Sequence, residues 1–244
     1  MKSSRGERLG LSIIVPTYNE AENVRELIER VEASLKGLDF EVVVVDDSSP
    51  DGTAEVAEEF GKAYGNVRVV RRPKKMGVAS AVLDGMKAAK HELIAVMDAD
   101  LQHPPELLPK LLEKAMEGYD IVVASRYVEG GGIEEWGFWR RLISRGATLL
   151  AHTLLPKTRG VKDPMSGFFV FRRKVVEGVE LNPIGYKLLL EVLVRGRYES
   201  VAEVPYVFKA RRRGRSKLGL KEIFDYVIFL FKLRVKGLSP RHGP

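Results

Sequence analysis

Short apolar runs alternate with amphipathic stretches through the first half of the chain. Leu, Ile, Val and Ala fill most of 11–15, 41–45, 67–70, 93–97 and 121–124, and each run reads as a strand. Between them, 20–35, 53–63, 77–89 and 105–116 carry apolar residues at three-and-four spacing and read as helices. Near-continuous apolar strands are what a sheet covered on both faces requires, so the rhythm predicts an α/β fold with a Rossmann-like, mostly parallel central sheet flanked by helices.

After Gly130-Gly131-Gly132 the texture becomes basic and aromatic. Trp136, Trp139, Ile143, Ala147, Leu150 and Leu154 share a helical stripe over 136–156, and Arg140, Arg141 and Arg145 fall on another side. Two readings stand: a helix lying at a lipid interface, or a core helix with snorkelling arginines. Further strands are expected over 167–172 and 200–208, completing the sheet, and a second amphipathic helix over 220–235. The layout is therefore a polar tail at 1–10, one globular unit over 11–218, and an amphipathic end at 219–244.

Composition narrows the chemistry. With 244 residues and no cysteine, a disulfide scaffold, a cysteine-ligated zinc site and thiol catalysis are excluded. A net charge of +7 predicts a basic face for phosphates, nucleic acid or an anionic membrane. The polar start carries no signal peptide, so the chain is expected to begin in the cytosol. The late apolar run at 223–231 is broken by Asp225 and stopped by Lys232, short of the roughly 20 residues that cross a bilayer. Contact with a membrane is therefore expected at its surface.

Ligands of parallel α/β sheets bind at the carboxyl ends of the strands, and the polar motifs fall there. Asp98-Ala99-Asp100-Leu101-Gln102 follows the strand at 93–97. Two carboxylates and an amide oxygen suit a hard cation that completes its shell with substrate phosphates, although a polar turn capping the strand would use the same residue types. Asp46-Asp47 ends the second strand, where Asp47 can accept hydrogen bonds from a nucleobase or ribose; the Ser-Ser-Pro-Asp-Gly that follows also suits a helix cap. Pro16, Tyr18 and Glu20 end the first strand, an aromatic and an acid able to bracket the same base, with Glu20 equally suited to a helix first turn. Arg126 directly follows a buried strand, and Arg211-Arg212-Arg213-Gly214-Arg215-Ser216-Lys217 is either a solvated charge run or a mobile phosphate-binding loop. Asp163 and Ser166 precede the strand at 167–172, as a turn would.

Taken together, Pro-Thr-Tyr-Asn-Glu at 16–20, Asp-Asp-Ser-Ser-Pro-Asp-Gly-Thr at 46–53, Asp-Ala-Asp-Leu-Gln-His-Pro-Pro-Glu at 98–106, Ser-Arg-Tyr at 125–127 and Ser-Gly-Phe-Phe at 166–169 resemble inverting A-type glycosyltransferases. Within them the sequence is most similar to dolichol-phosphate mannose synthases, from residue 12 to about 233. The resemblance implies an A-type glycosyltransferase fold with 11–218 as the catalytic domain, GDP-mannose as donor, dolichyl or another polyprenyl phosphate as acceptor, and Mg²⁺ or Mn²⁺ as cofactor. It implies that Pro16, Tyr18, Glu20, Val45 and Asp47 hold the guanosine, that Asp98 and Ala99 lie against the nucleotide, and that Asp100 and Gln102 ligate the metal. It further implies that Arg126 contacts phosphate and that Arg211 and Lys217 clamp the donor diphosphate from a closing loop. Asp100, Arg126 and Lys217 are the catalytic set so implied.

The acceptor phosphate arrives mostly ionised, so Asp163 is not assigned as a base. An isoprenoid acceptor places the enzyme on the cytoplasmic face of a membrane, docked by the helices at 136 and 220 or by an anchoring partner subunit. A UDP-glucose-dependent polyprenyl-phosphate glucosyltransferase and a non-catalytic sugar-nucleotide sensor fit similar motifs. No nucleic acid is expected as a partner, because acids line the strand ends where a polyanion would sit.

Overall fold

The computed structural model describes residues 10–134, 137–182, 187–209 and 220–238. The first half forms β1 (Leu11–Thr17), α1 (Ala21–Ser34), β2 (Phe40–Asp46), α2 (Thr53–Tyr64), β3 (Val67–Arg71), α3 (Val78–Ala88), β4 (Leu93–Val96), α4 (Leu108–Met116) and β5 (Ile121–Ser125). The expected helix at 105–116 opens as a 3-10 turn, Pro105–Leu107, before α4. The second half adds β6 (Gly132–Ile133), α5 (Phe138–Leu154), β7 (Phe169–Arg172), α6 (Leu188–Arg195), β8 (Val201–Pro205), β9 (Val207–Phe208) and α7 (Leu220–Leu238).

Seven strands pair in the order β3-β2-β1-β4-β7-β5-β8. All neighbours are parallel except β7, which runs antiparallel to both β4 and β5. The expected strand at 200–208 divides at Pro205-Tyr206: β8 joins the main sheet, whereas β9 leaves it to pair with β6 in a separate two-stranded ribbon. Proline supplies no N–H for the ladder, which suits a strand end.

Period-two alternation sends the strand residues to two cores. Ile13, Val15, Val42, Val44 and Ala95 face α1, α2 and α4, and meet Leu27, Ile28, Phe60, Leu108 and Leu111. Ile14, Val43, Val45, Ile94 and Val123 face the other way, onto Ala81 and Val82 of α3 and Leu188, Leu189, Val192 and Leu193 of α6. Each fully buried Val, Leu or Ile among them contributes about 1.5–3 kcal/mol of transfer free energy. The seat of α3 is tight: a Cβ on Gly85 would lie 2.5 Å from Ile14 Cγ2 and 3.0 Å from Val45 Cγ2.

A third, smaller cluster joins α5, α6 and α7 through Ala151, Leu155, Leu190, Phe229, Leu230 and Leu233. Among the described residues, the two long helices, α5 and α7, bury that seam alone. Trp139 (73% exposed), Leu149 (68%), Phe224 (66%) and Val235 (68%) stand in solvent, with Leu142, Ile143 and Phe231 also exposed. Trp136 lies outside the described residues. Among the described residues, no helix is long and apolar enough to cross a membrane.

Candidate active site

The loops leaving β1, β2 and β4 converge at one edge of the sheet, and each holds a non-glycine residue in the left-handed region: Asn19 (φ 60°), Ser48 (φ 56°) and Leu101 (φ 61°). Such backbone is disfavoured for L-residues and persists only where neighbours impose it. The first two loops brace each other. Ser49 Oγ accepts from Asn19 N (2.9 Å), Thr53 Oγ1 from Glu20 N (2.9 Å) and Asp51 Oδ2 from Ala21 N (3.1 Å). Asp46 serves the turn, accepting from Thr17 Oγ1 (2.9 Å) and Ser49 N (2.8 Å).

Asp47 is buried and heavily engaged. Its Oδ1 accepts from Arg72 Nη1 (2.6 Å), and its Oδ2 from Met76 N (3.0 Å) and Gly77 N (2.9 Å). A carboxylate offers roughly four lone-pair sites, so little more than one remains for a ligand. Arg72, itself buried, extends the network to Ser80 Oγ (2.7 Å) and Asp84 (3.2 Å), fixing the segment that leads into α3. That segment carries Lys75, whose Nζ sits 3.5 Å from the centre of the Tyr18 ring.

After β4 the chain turns at Leu101, and Asp100 Oδ1 accepts from Gln102 N (3.2 Å). Gln102 Nε2 donates to the Lys209 carbonyl (2.8 Å), so the amide oxygen is the atom a cation would take. Asp98 N donates to His103 Nδ1 (2.9 Å), and the His103 ring stacks on Phe168 with centroids 5.3 Å apart. That geometry requires Nδ1 to be unprotonated. Among the described residues, no three His, Cys, Asp or Glu side chains cluster as a metal site. The donor set fits a cation that draws most of its ligands from a bound phosphate, as Mg²⁺ and Mn²⁺ do, rather than one caged by protein.

Cations line the same cleft. Arg126, just past β5, is gripped by Asp163: Oδ2 accepts from Arg126 N (3.0 Å) and Nε (2.7 Å), and Oδ1 from Nη2 (2.7 Å). Asp163 is fully buried, and the Arg126 side chain is 9% exposed. Burial works against the guanidinium, but Asp163 outweighs it through hydrogen bonds and charge and raises the pKa further. Lys187, directly before α6, faces the same space; burial and the nearby Arg126 push its ammonium down to about 8, against the pull of Asp163 and Asp98. Burial raises the pKa of the Tyr206 phenol alongside.

One cleft of ≈ 630 Å³ joins these parts. Pro16, Tyr18, Glu20, Asp47, Asp98, Ala99, Asp100, Gln102 and Arg126 all line it, as the sequence reading grouped them. Val45 is the exception: its side chain is buried in the core beneath α3, and its carbonyl accepts from Thr17 Oγ1 (3.4 Å). Arg211 and Lys217 lie outside the described residues. Arg140 also lines the cleft, whereas Arg141 donates to the Ile133 carbonyl (2.9 Å). The cleft is also lined by the apolar Ile143, Ala147 and Leu150 of α5, Leu188 of α6, and Tyr226 and Val227 of α7. Sequence reasoning passed over Arg72 and Lys187; the signal available was position, one residue beyond a strand and one residue before an apolar run.

The sequence profile of glycosyl transferase family 2 matches residues 12–179. A protein from Pyrococcus furiosus named dolichol-phosphate mannosyltransferase is 53% identical over 223 residues, covering 91% of this chain and 63% of that protein. The chain thus spans less than two thirds of that relative's length. A protein of the same name from Saccharomyces cerevisiae is 36% identical over 244 residues, covering 93% of this chain and 90% of its own. Among solved structures, glucosyl-3-phosphoglycerate synthase from Mycobacterium tuberculosis, in complex with Mn²⁺, UDP-glucose and phosphoglyceric acid, superposes with a TM-score of 0.70 at 22% identity, over 96% of this chain and 81% of that one. The sheet and its flanking helices have the A-type glycosyltransferase fold expected from the motifs.

Proposed function

Because the chain belongs to glycosyl transferase family 2, we propose that it transfers mannose from GDP-mannose to dolichyl or another polyprenyl phosphate, with inversion and release of GDP. The observation that carries this reading is the mixed lining of one cleft: acids after β1, β2 and β4, the cations Arg126 and Lys187, and apolar residues of α5, α6 and α7. A sugar nucleotide fits the first group and a phosphate with an apolar tail the other two.

In this reading a phosphate oxygen of the acceptor attacks the anomeric carbon while the bond from that carbon to the GDP oxygen breaks. The acceptor phosphate has a second pKa of about 6 and needs no protein base. Asp163 is correspondingly occupied, with both oxygens on Arg126, and its role is to hold that guanidinium aimed into the cleft. Arg126 then orients the acceptor by charge and geometry. Mg²⁺ or Mn²⁺, held by Asp100 and Gln102, would supply neutralisation of the departing diphosphate. Pro16, Tyr18, Glu20 and Asp47 are assigned to the guanosine, with Val45 supporting it from the core and Asp98 and Ala99 against the nucleotide. Arg211 and Lys217 are assigned as the diphosphate clamp.

Residues 11–218 form the catalytic domain in this assignment, and 219–244 a membrane-proximal helix and tail. The exposed apolar faces of α5 and α7 support docking on the cytoplasmic face of a membrane, directly or with a partner subunit. The test is transfer of label from GDP-mannose into an organic-extractable product, requiring both metal and dolichyl phosphate. Label from UDP-glucose instead would replace the donor; tight GDP-mannose binding without any product would replace the enzyme with a sensor.

A further inference from the structure

Lys187 meets both the polar and the apolar lining of the cleft: it lies within electrostatic reach of Arg126 and Asp98 and beside the Tyr226 ring, and Arg140, Leu188 and Val227 line the same cleft. Its Nζ lies 6.0 Å from the centre of the Tyr226 ring. Among the described residues, the charged and titratable groups that share its cleft or its electrostatic surroundings are Asp98 and His103 after β4, Arg126 after β5, Arg140 on α5, Asp163 before β7, Tyr206 between β8 and β9, and Tyr226 on α7.

Two cations, Arg126 and Lys187, thus line the cleft within electrostatic reach of each other, with Asp163 bound to the first through three hydrogen bonds. A phosphate monoester would bring negative charge to this point, where Lys187 adds a cation beside the Asp163-paired Arg126, and its apolar tail would lie among Leu188, Tyr226 and Val227. We propose that Lys187 grips the phosphate of the polyprenyl acceptor and that its charge sets the alkaline limit for acceptor use. The inference rests on the transfer reading above and adds to it a residue and a pH dependence.

The sign follows from the two partners. The acceptor phosphate gains its second charge as pH rises through about 6. Lys187 carries its charge below about 8 and loses it above. Acceptor kcat/KM therefore rises through the first value and falls through the second. Burial raises the Tyr206 and Tyr226 phenols, and Arg126 is held charged, so none of the three loses its proton in that range.

Two variants test this, with acceptor and donor kinetics measured separately. Lys187→Met lowers acceptor kcat/KM by roughly 10- to 100-fold, the worth of one charge-assisted hydrogen bond, while the KM for GDP-mannose stays put. Lys187→Arg retains acceptor use and loses the alkaline limb. Calorimetry with a short prenyl phosphate and no donor provides an arm independent of turnover: wild-type affinity falls between pH 7 and 9, and that of Lys187→Arg does not. A donor KM effect in Lys187→Met, or an unmoved alkaline limb in Lys187→Arg, overturns the assignment. Lys187-dependent prenyl phosphate binding with no transfer from GDP-mannose overturns the transfer reading and leaves the phosphate site standing.

Discussion

Replacing Asp163 with Asn keeps the shape of the side chain and removes its charge, which separates holding an arginine from abstracting a proton. The amide oxygen can retain the bonds from Arg126 N and Nε, but the amide nitrogen then faces Nη2, where a 2.7 Å hydrogen bond stood. The Arg126 guanidinium, 9% exposed, is left buried without its counter-charge. Breaking a buried pair from one side costs about 3–5 kcal/mol. At about 2–4 °C per kcal/mol for a chain of this size, the melting temperature falls by roughly 6–20 °C. Turnover falls with it, because Arg126 is no longer fixed toward the acceptor, and the acceptor KM rises. Thermal melts, GDP-mannose binding and steady-state transfer on the same preparation measure all three. An Asp163→Asn variant that melts within about 2 °C of wild type and binds donor normally, yet turns over roughly 10³-fold more slowly, would refute the argument and make Asp163 the base.

Asp100→Asn removes a carboxylate from the assigned metal pair and is expected to weaken Mn²⁺ binding in the presence of GDP by at least about tenfold, counted by electron paramagnetic resonance; unchanged Mn²⁺ affinity would move the metal elsewhere. Gly85→Ala drives a Cβ into Ile14 and Val45, both stiff β-branched side chains, and should cost about 1–3 kcal/mol in urea unfolding, whereas an equal or higher midpoint would mean that α3 does not sit so close. Glu41 is buried at the far end of the sheet; burial opposes its charge, but hydrogen bonds from Ser12 and Lys90 N and the pull of Arg68 outweigh it and lower its pKa. Its contribution is therefore full above about pH 4.5 and is lost as pH falls through the lowered folded value. Glu41→Gln should flatten the fall of unfolding free energy on that acid side, and equal slopes for the two proteins would exclude the role.

The parallel half of the fold was legible because its strands are buried on both faces, and Val42 to Val45 or Leu93 to Met97 can hardly be anything else. The acids at their ends stood out for the same reason, since carboxylates next to fully apolar runs demand an explanation. α6 was not anticipated: Leu188, Leu189 and Leu190 followed by Val192, Leu193 and Val194 have no polar face to show a period, because the helix is buried against both the sheet and α7. β6 and β9, two residues each, carry no pattern at all. Arg72 and Lys187 look like ordinary surface residues in a chain with 40 Lys and Arg. Their placement is a tertiary fact, made by the ion pair with Asp47 for one and by the lining that α5, α6 and α7 share for the other.

The antiparallel β7 dictates an order of assembly. β4 ends at Val96 and its partner β7 begins only at Phe169, so a growing chain carries the β3-β2-β1-β4 unit with its β4 edge unpaired while more than a quarter of this sequence is made. Domains emerge and fold from the N-terminus, and an open strand edge invites pairing with other chains. Arg126, Asp163 and Lys187 reach their places only once β7 closes that edge and brings β5 alongside. The nascent protein thus has its cleft acids in place before Arg126 and Lys187, and it can recognise both substrates together only after β7 has locked the sheet.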